Sequence, residues 1–390
     1  MSPPKERIFS RPFVILLSVQ PLAGFAICTF YLLPKFLTTE LRATPTQIGL
    51  VSASYGLSGA LAVPLLAALL DRRSARTLIV SACALLSVAA LGFAWVDRVG
   101  ALALTLRTVQ GLAWAVLFTA GMMVTIGTSP PGRLAQAIGY YGVANLAMNA
   151  VAPASAEIIA DRFGWKPVFL LASLAGIFGL LLSFALPGAA PTRSSVVPMW
   201  TLARRPRTVA MIAIFAIWGC AFGAMFIFCQ PFALSLGITK LRGFFVAYTL
   251  AAIFARVGTG GAVDRIGRQT VAVASFALYA AVVLAMQGLR PGWLEPIGAV
   301  FGLAHGFFFP AYSAHVVERE PPETRGKLTA LSSAAFNAGF AASSIVLGGI
   351  AERAGYPSAF LAAGLVTLAG VGVLVVTAEP RSASRGRVTG

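Results

Sequence analysis

The chain has 390 residues, 58% of them hydrophobic and only 11% charged, with a mean hydropathy of +0.82. This composition excludes an ordinary soluble protein, because apolar runs of about 20 residues, each long enough to cross a bilayer core, recur along the whole length. A net charge of +17 would suit nucleic-acid binding if massed on one soluble domain; here the cations are scattered in short loops between apolar runs, the pattern of positive-inside bias, and no nucleic-acid partner is expected.

The N-terminus, Lys5 to Pro12, is basic and leads into a full-length span without a small-residue cleavage signal, so an uncleaved first helix is expected. Predicted spans follow at 12–34, 46–69, 77–96, 101–127, 135–159 and 166–186. Segment 187–207, rich in Pro, Ser, Ala and Arg, reads as a cytoplasmic linker. A second set follows at 208–232, 243–263, 270–289, 295–316, 327–350 and 357–378, then a tail at 379–390. The expected fold is an all-α polytopic membrane protein of twelve transmembrane helices, in two six-helix halves at 1–186 and 208–378. With the N-terminus inside, 19 Lys and Arg fall on the cytoplasmic side and 9 outside, leaving Arg107 and Arg256 within spans. The bias places both termini in the cytoplasm of a bacterial-type inner membrane. Cys28, Cys83, Cys220 and Cys229 all fall in apolar runs without ligand spacing, so no disulfide, metal or cofactor is expected.

The halves repeat in register. Asp71-Arg72 matches Asp264-Arg265, Pro130-Pro131-Gly132-Arg133 matches Pro321-Pro322-Glu323-Thr324-Arg325, and Ile159 to Trp165 matches Ile350 to Tyr356. The offset stays near 191–193 residues. Duplicated six-helix halves are a transporter architecture, with the substrate site at their interface near the midplane.

The loop Gly260-Gly261-Ala262-Val263-Asp264-Arg265-Ile266-Gly267-Arg268 places an acid, two arginines and a tight-turn glycine between two apolar runs, so it must lie at a membrane surface. It resembles the loop motif between the second and third helices of a half in the major facilitator superfamily. The first-half copy keeps Asp71, Arg72 and Arg76 but has Ala67, Ser74 and Ala75 where that family prefers Gly, Gly and Arg. Arg107-Thr108-Val109-Gln110-Gly111 is similar to its fourth-helix motif. The resemblance covers essentially the whole chain and, more loosely, extends to bacterial efflux-type, sugar-efflux-like permeases. It implies that Asp71, Arg72, Arg76, Gly260, Asp264, Arg265, Gly267 and Arg268 latch the halves in the outward-facing state, with Arg256 two turns before Asp264 as a further partner. The competing reading is a solvated loop with positive-inside arginines.

Polar residues within spans are the candidates for coupling or substrate binding, because they are costly in hydrocarbon. Arg107 carries such a role by resemblance; the alternative is a residue snorkelling to the interface. Apart from Glu295 at the first position of its span, Glu157 is the only carboxylate inside a predicted span, either a desolvated proton carrier or an outer-loop residue. His305 aligns with Gln110 in the repeat and shares a helix face with Phe309 and Tyr312, suiting either coupling or an interhelical hydrogen bond. Asn145, Asn149 and Asn337 line the pathway or glue helices. Gln20-Pro21 and Gln230-Pro231 mark places where proline frees carbonyls at a cavity, or simple kinks. The fifth span reads Ala152-Pro153-Ala154-Ser155-Ala156-Glu157 and lacks the glycines of the antiporter motif.

Two histidines, no paired cysteines at ligand spacing and no GxxxxGK[ST] loop leave no parts for an enzyme. The expectation is a monomeric secondary transporter working by alternating access, exporting a small amphiphilic molecule in exchange for protons. The rival readings are an uptake permease or uniporter and, from another class, a transport-dead receptor or scaffold.

Overall fold

The protein is described from a computed structural model, which covers residues 8–70, 72–130, 133–188, 199–258, 265–318 and 320–377. Its apolar runs form twelve helical segments. The first half has α1 (Arg11–Thr39), α2 (Pro45–Leu70), α3 (Ala75–Gly92), α4 (Ala101–Thr128), α5 (Leu134–Phe163) and α6 (Trp165–Ser183). The second has α7 (Pro206–Ser235), α8 (Arg242–Gly258), α9 (Arg268–Ala285), α10 (Leu294–Glu318), α11 (322–354) and α12 (356–376). The segment expected as a linker ends in a short helix, Met199–Ala203.

Local chemistry sets the boundaries. The Ser74 hydroxyl accepts from the Thr77 N–H at 3.2 Å and starts α3. Gly164 (φ 79°) and Gly355 (φ 83°) break the chain between α5 and α6 and between α11 and α12 with the same left-handed-side geometry. Only glycine adopts it freely. The repeat Ile159–Trp165 and Ile350–Tyr356 is thus one turn used twice.

Alternate helices run in opposite directions, so one end of the bundle carries the last described turns of α2 and α8 (the motif end) and the other carries the starts of those helices (the far end). Lipid-side positions such as Leu57, Leu61, Val88 and Phe254 are exposed, whereas the inner faces bury large rings. One apolar core lies within the first half around α1, α3 and α4. A larger core runs from the far end of the first half (Phe30, Phe36, Phe93, Phe169) into the second half (Phe226, Tyr248, Phe301, Phe308). The halves meet along α2 against α11 and α5 against α8, with the Tyr31–Phe226 ring contact joining the two cores at the far end.

Two helices deviate from α geometry where they face each other. α1 tightens into a 3₁₀ turn at Thr29–Leu32 and α7 widens into a π turn at Ala224–Phe228, just before Pro231. Pro231 cannot donate to the preceding turn, and the Gln230 amide instead donates to the Phe226 carbonyl at 2.6 Å. The break anticipated at Pro21 falls instead at Thr29–Leu32, ahead of Pro34.

Candidate functional site

At the far end, three helix pairs cross between the halves. Gln230 Nε2 donates to the Tyr31 carbonyl at 2.6 Å, joining α7 to α1, and the Tyr31 and Phe226 rings meet edge-on at 5.0 Å. Between α2 and α11, a Cβ on Gly49 would collide with the Ser344 carbonyl and one on Gly348 would lie 2.7 Å from the Pro45 carbonyl. These backbones touch because neither glycine has a side chain. Between α5 and α8, Glu157 is completely buried. Its Oε1 accepts from Lys35 Nζ and the Leu241 N–H, each at 2.8 Å, and its Oε2 accepts from the Arg242 N–H at 2.7 Å. Lys35 also donates to Asp161 (3.2 Å) and to the Thr239 carbonyl (3.1 Å). A carboxylate from one half thus caps the positive N-terminus of the other half's second helix. Of the two positions considered above for Glu157, the structure shows the one inside the helix: it lies within α5, and both of its oxygens are engaged by Lys35 and the start of α8. Lys35, one of the nine cations that the charge count assigns to the outer side, is nine-tenths buried because α1 continues to Thr39.

The second half returns the gesture. Glu352 accepts from the Thr46 N–H at 3.0 Å at the start of α2. Glu352 is solvent-exposed, and hydrogen bonds from Thr46 and Thr44 hold its carboxyl below the usual carboxylate range.

Inward from this closure lies Arg107. Only 7% exposed, it points along α4 away from the far end: Nη1 donates to Gln110 Oε1 at 2.8 Å, one turn deeper. Its guanidinium lies 4.5 Å from the centre of the Tyr55 ring and 5.9 Å from that of Phe30. It does not reach toward the membrane surface, as a snorkelling residue would. Arg107 Nε and Gln110 Nε2 are buried with no hydrogen-bond partner. The α2–α4 contact that brings Tyr55 here depends on Gly111, where a Cβ would collide with the Tyr55 carbonyl.

The second half contributes an aromatic cage. His305, 8% exposed, is surrounded by Trp218 (5.1 Å), Tyr248 (5.5 Å) and Phe222 (5.7 Å). Its Nδ1, the Tyr248 hydroxyl and Trp218 Nε1 lack partners. The stripe expected on α10 forms, with Phe309 stacked on Trp218 and Tyr312 against Phe215 and Phe308. The Arg256 guanidinium lies 5.4 Å from the Phe309 ring centre.

The remaining candidates divide. Asn149 accepts from the Cys28 thiol at 3.3 Å, which ties α5 to α1. Asn337 donates to the Ser333 carbonyl at 2.9 Å and its carboxamide abuts Gly59, a helix-gluing position. Gln20 Nε2 and Asn145 Oδ1 are buried without partners. Of the loop motifs, Asp71, Gly260 and Asp264 lie outside the described residues, and so does any pairing of Arg256 with Asp264. Arg72 and Arg265 are exposed, Arg76 lies in the first turn of α3, and Gly267 (φ 100°) precedes Arg268 at the start of α9. Tyr31, Lys35, Tyr55, Asp161, Tyr248 and Glu352 are absent from the sequence-derived candidates. Tyr55 and Tyr248 had a usable signal, since they stand 193 residues apart, within the repeat offset.

Comparisons with known proteins agree with this architecture. A stretch of 129 residues, 33% of this chain, is 30% identical to Probable anion transporter 5 of Arabidopsis thaliana, and it spans 29% of that protein's length. The nucleoside transporter NupG, solved as a point mutant, superposes with a TM-score of 0.73 at 15% identity, covering 93% of this chain and 99% of that one. The human organic anion transporter MFSD10 (TETRAN) superposes at 0.71 and 15% identity, covering 95% and 100%. At that identity the likeness establishes the shared fold. Residues 16–292 and 244–389 match the Major Facilitator Superfamily. The twelve helices, the doubled halves and this match together show that the chain belongs to the major facilitator superfamily of transporters.

Proposed function

We propose that the chain is an alternating-access secondary transporter that exports a small amphiphilic molecule, with both termini in the cytoplasm. The carrying observation is the far-end lock, in which Lys35 and Glu157 of one half close on the start of α8 in the other. Orphaned polar groups of both halves, Arg107 and Gln110 on one side and His305 and Tyr248 on the other, lie buried inward of it. Alternating access needs such a closure to form and break around a fixed site. In this reading the described state is closed outside, and the latches at Asp71 and Asp264 close the cytoplasmic side in the opposite state.

Proton exchange is the finer part of the proposal. Glu157 serves the gate, which leaves His305 as the titratable group of the central layer. One observation favours a second reading, uptake or facilitated diffusion: the carboxylate within the spans is already used by the lock. Comparative metabolite profiling of cells and medium separates the two, with wild type and Arg107→Ala expressed at matched levels, with and without an uncoupler. Proton-driven export predicts a compound enriched in the medium only with wild type, and lost on uncoupling. A compound depleted from the medium, or a flux indifferent to the uncoupler, would establish the second reading.

A further inference from the structure

The central layer has a chemical sign. Arg107 is buried, and its one conventional hydrogen bond goes to the neutral carboxamide of Gln110. The carboxylates of Glu157 and Asp161 pair with Lys35 and that of Glu320 with Arg205, and among the described residues no carboxylate pairs with Arg107. A buried cation without a counter-ion is expensive, and proteins keep one where a partner arrives from outside. The neighbouring groups point the same way. Because the Gln110 carbonyl is committed to Arg107, its NH2 is a donor by necessity, and it is buried without an acceptor. Arg107 Nε is a second orphaned donor, one turn away on the same helix face. Two donors and a fixed positive charge on one helix face match an oxyanion with at least two acceptor oxygens.

The surroundings set the rest of the ligand. Tyr55 and Phe30 flank the guanidinium. On the other half, Phe222 and Phe226 stack at 4.1 Å, and Phe226 meets Tyr31 at 5.0 Å. These rings offer an aromatic face against which a flat apolar body can stack, whereas a polyol would need a balanced set of acceptors.

We infer that the cargo is a small organic anion, a carboxylate or phosphate ester on a planar apolar body, whose charged group is held by Arg107 and Gln110 and whose body lies against the aromatic face of α7. This rests on the carrier reading above and adds the substrate class to it. Arg107 is then a binding residue, and Gln110 both orients the guanidinium and donates to the oxyanion.

The test uses the full chain, purified in detergent, and a series on one aromatic body: 2-naphthoate, 2-naphthyl phosphate, neutral 2-naphthamide and cationic 2-naphthylmethylamine. Ligand-induced thermal stabilisation reports binding, and counterflow of labelled 2-naphthoate and 2-naphthamide in proteoliposomes reports transport. The expected result is an anion preference over the amide of about tenfold or more in wild type, lost in Arg107→Gln and partly kept in Arg107→Lys. Gln110→Leu, which keeps the charge and removes one donor, should show weakened anion binding, and it serves if Arg107→Gln fails to fold. Equal or better binding of the amide or amine, an anion preference indifferent to both variants, or no binding of any member at millimolar concentration would overturn the inference. Anion binding without counterflow would leave the inference standing and sink the carrier reading. Counterflow of the amide that ignores Arg107 would do the reverse.

Discussion

The two sides of the far-end closure are built on one plan with different materials. In each, an acid from one half meets the N-terminus of the other half's second helix: Glu157 on α8 and Glu352 on α2. At the repeat offset of 191 residues, Glu352 corresponds to Asp161, while the position corresponding to Glu157 is Gly348. The first half uses that site for a buried charge, and the second uses it to let the α11 backbone touch Pro45. The α5–α8 side is therefore an ionic latch and the α2–α11 side a steric seam, continued inward where a Cβ on Gly56 would lie 2.9 Å from the Asn337 carbonyl. A seam of backbone contacts resists separation evenly along its length, whereas a latch of three charge-assisted hydrogen bonds lets go as a unit. The difference predicts that α5 and α8 part first.

Removing one latch partner should have the largest effect. Glu157→Ala leaves Lys35 buried and the start of α8 uncapped, with an expected stability loss of about 3–5 kcal/mol, read by thermal unfolding in detergent. Adding Lys35→Met should restore much of that loss, because replacing both members of a buried pair is far less costly than orphaning one. If the double variant is as damaged as the single one, the latch is not a pair. Next comes the seam. Gly348→Leu should cost about 1–3 kcal/mol by overpacking and should raise the labelling rate of a cysteine placed at Thr46. Unchanged labelling would mean the seam is looser than described. Gln230→Leu removes the α7–α1 tie and should cost about 1 kcal/mol, visible as a small drop in melting temperature.

The smallest effect is expected at Glu352, where solvent screens the interaction. Its carboxyl is held below the usual range by Thr46 and Thr44, so its contribution is present above the ordinary carboxylate value and lost only as pH falls through the lowered one. From about pH 8 to about pH 5, Glu352→Gln and wild type should melt in parallel. A divergence within that window would assign Glu352 a stronger role than its exposure supports.

Much of this architecture is legible in the sequence because bilayer thickness dictates span length and the repeat marks corresponding boundaries twice. The helices begin and end within a few residues of the predicted spans, and the turn shared by Gly164 and Gly355 is visible as a repeated motif. The lock is not legible. Lys35 looks like a loop charge because nothing local says that α1 continues past Pro34. Glu157 is ambiguous because its partners lie 122, 84 and 85 residues away in the chain. Arg107 stands out by its cost in hydrocarbon, but the sequence does not say that it bonds to Gln110 and stacks on Tyr55. Gly49 and Gly348 look like any glycine in a span until the opposing backbones are in place.

The central claim is that Glu157 holds the far end closed. The direct measurement is the distance between nitroxide labels at Glu40→Cys and Ser235→Cys, exposed positions at the far ends of α1 and α7, in a background without Cys220. The account predicts a dominant short distance with Glu157 intact and a second, longer population in Glu157→Gln. An unchanged distribution would contradict it.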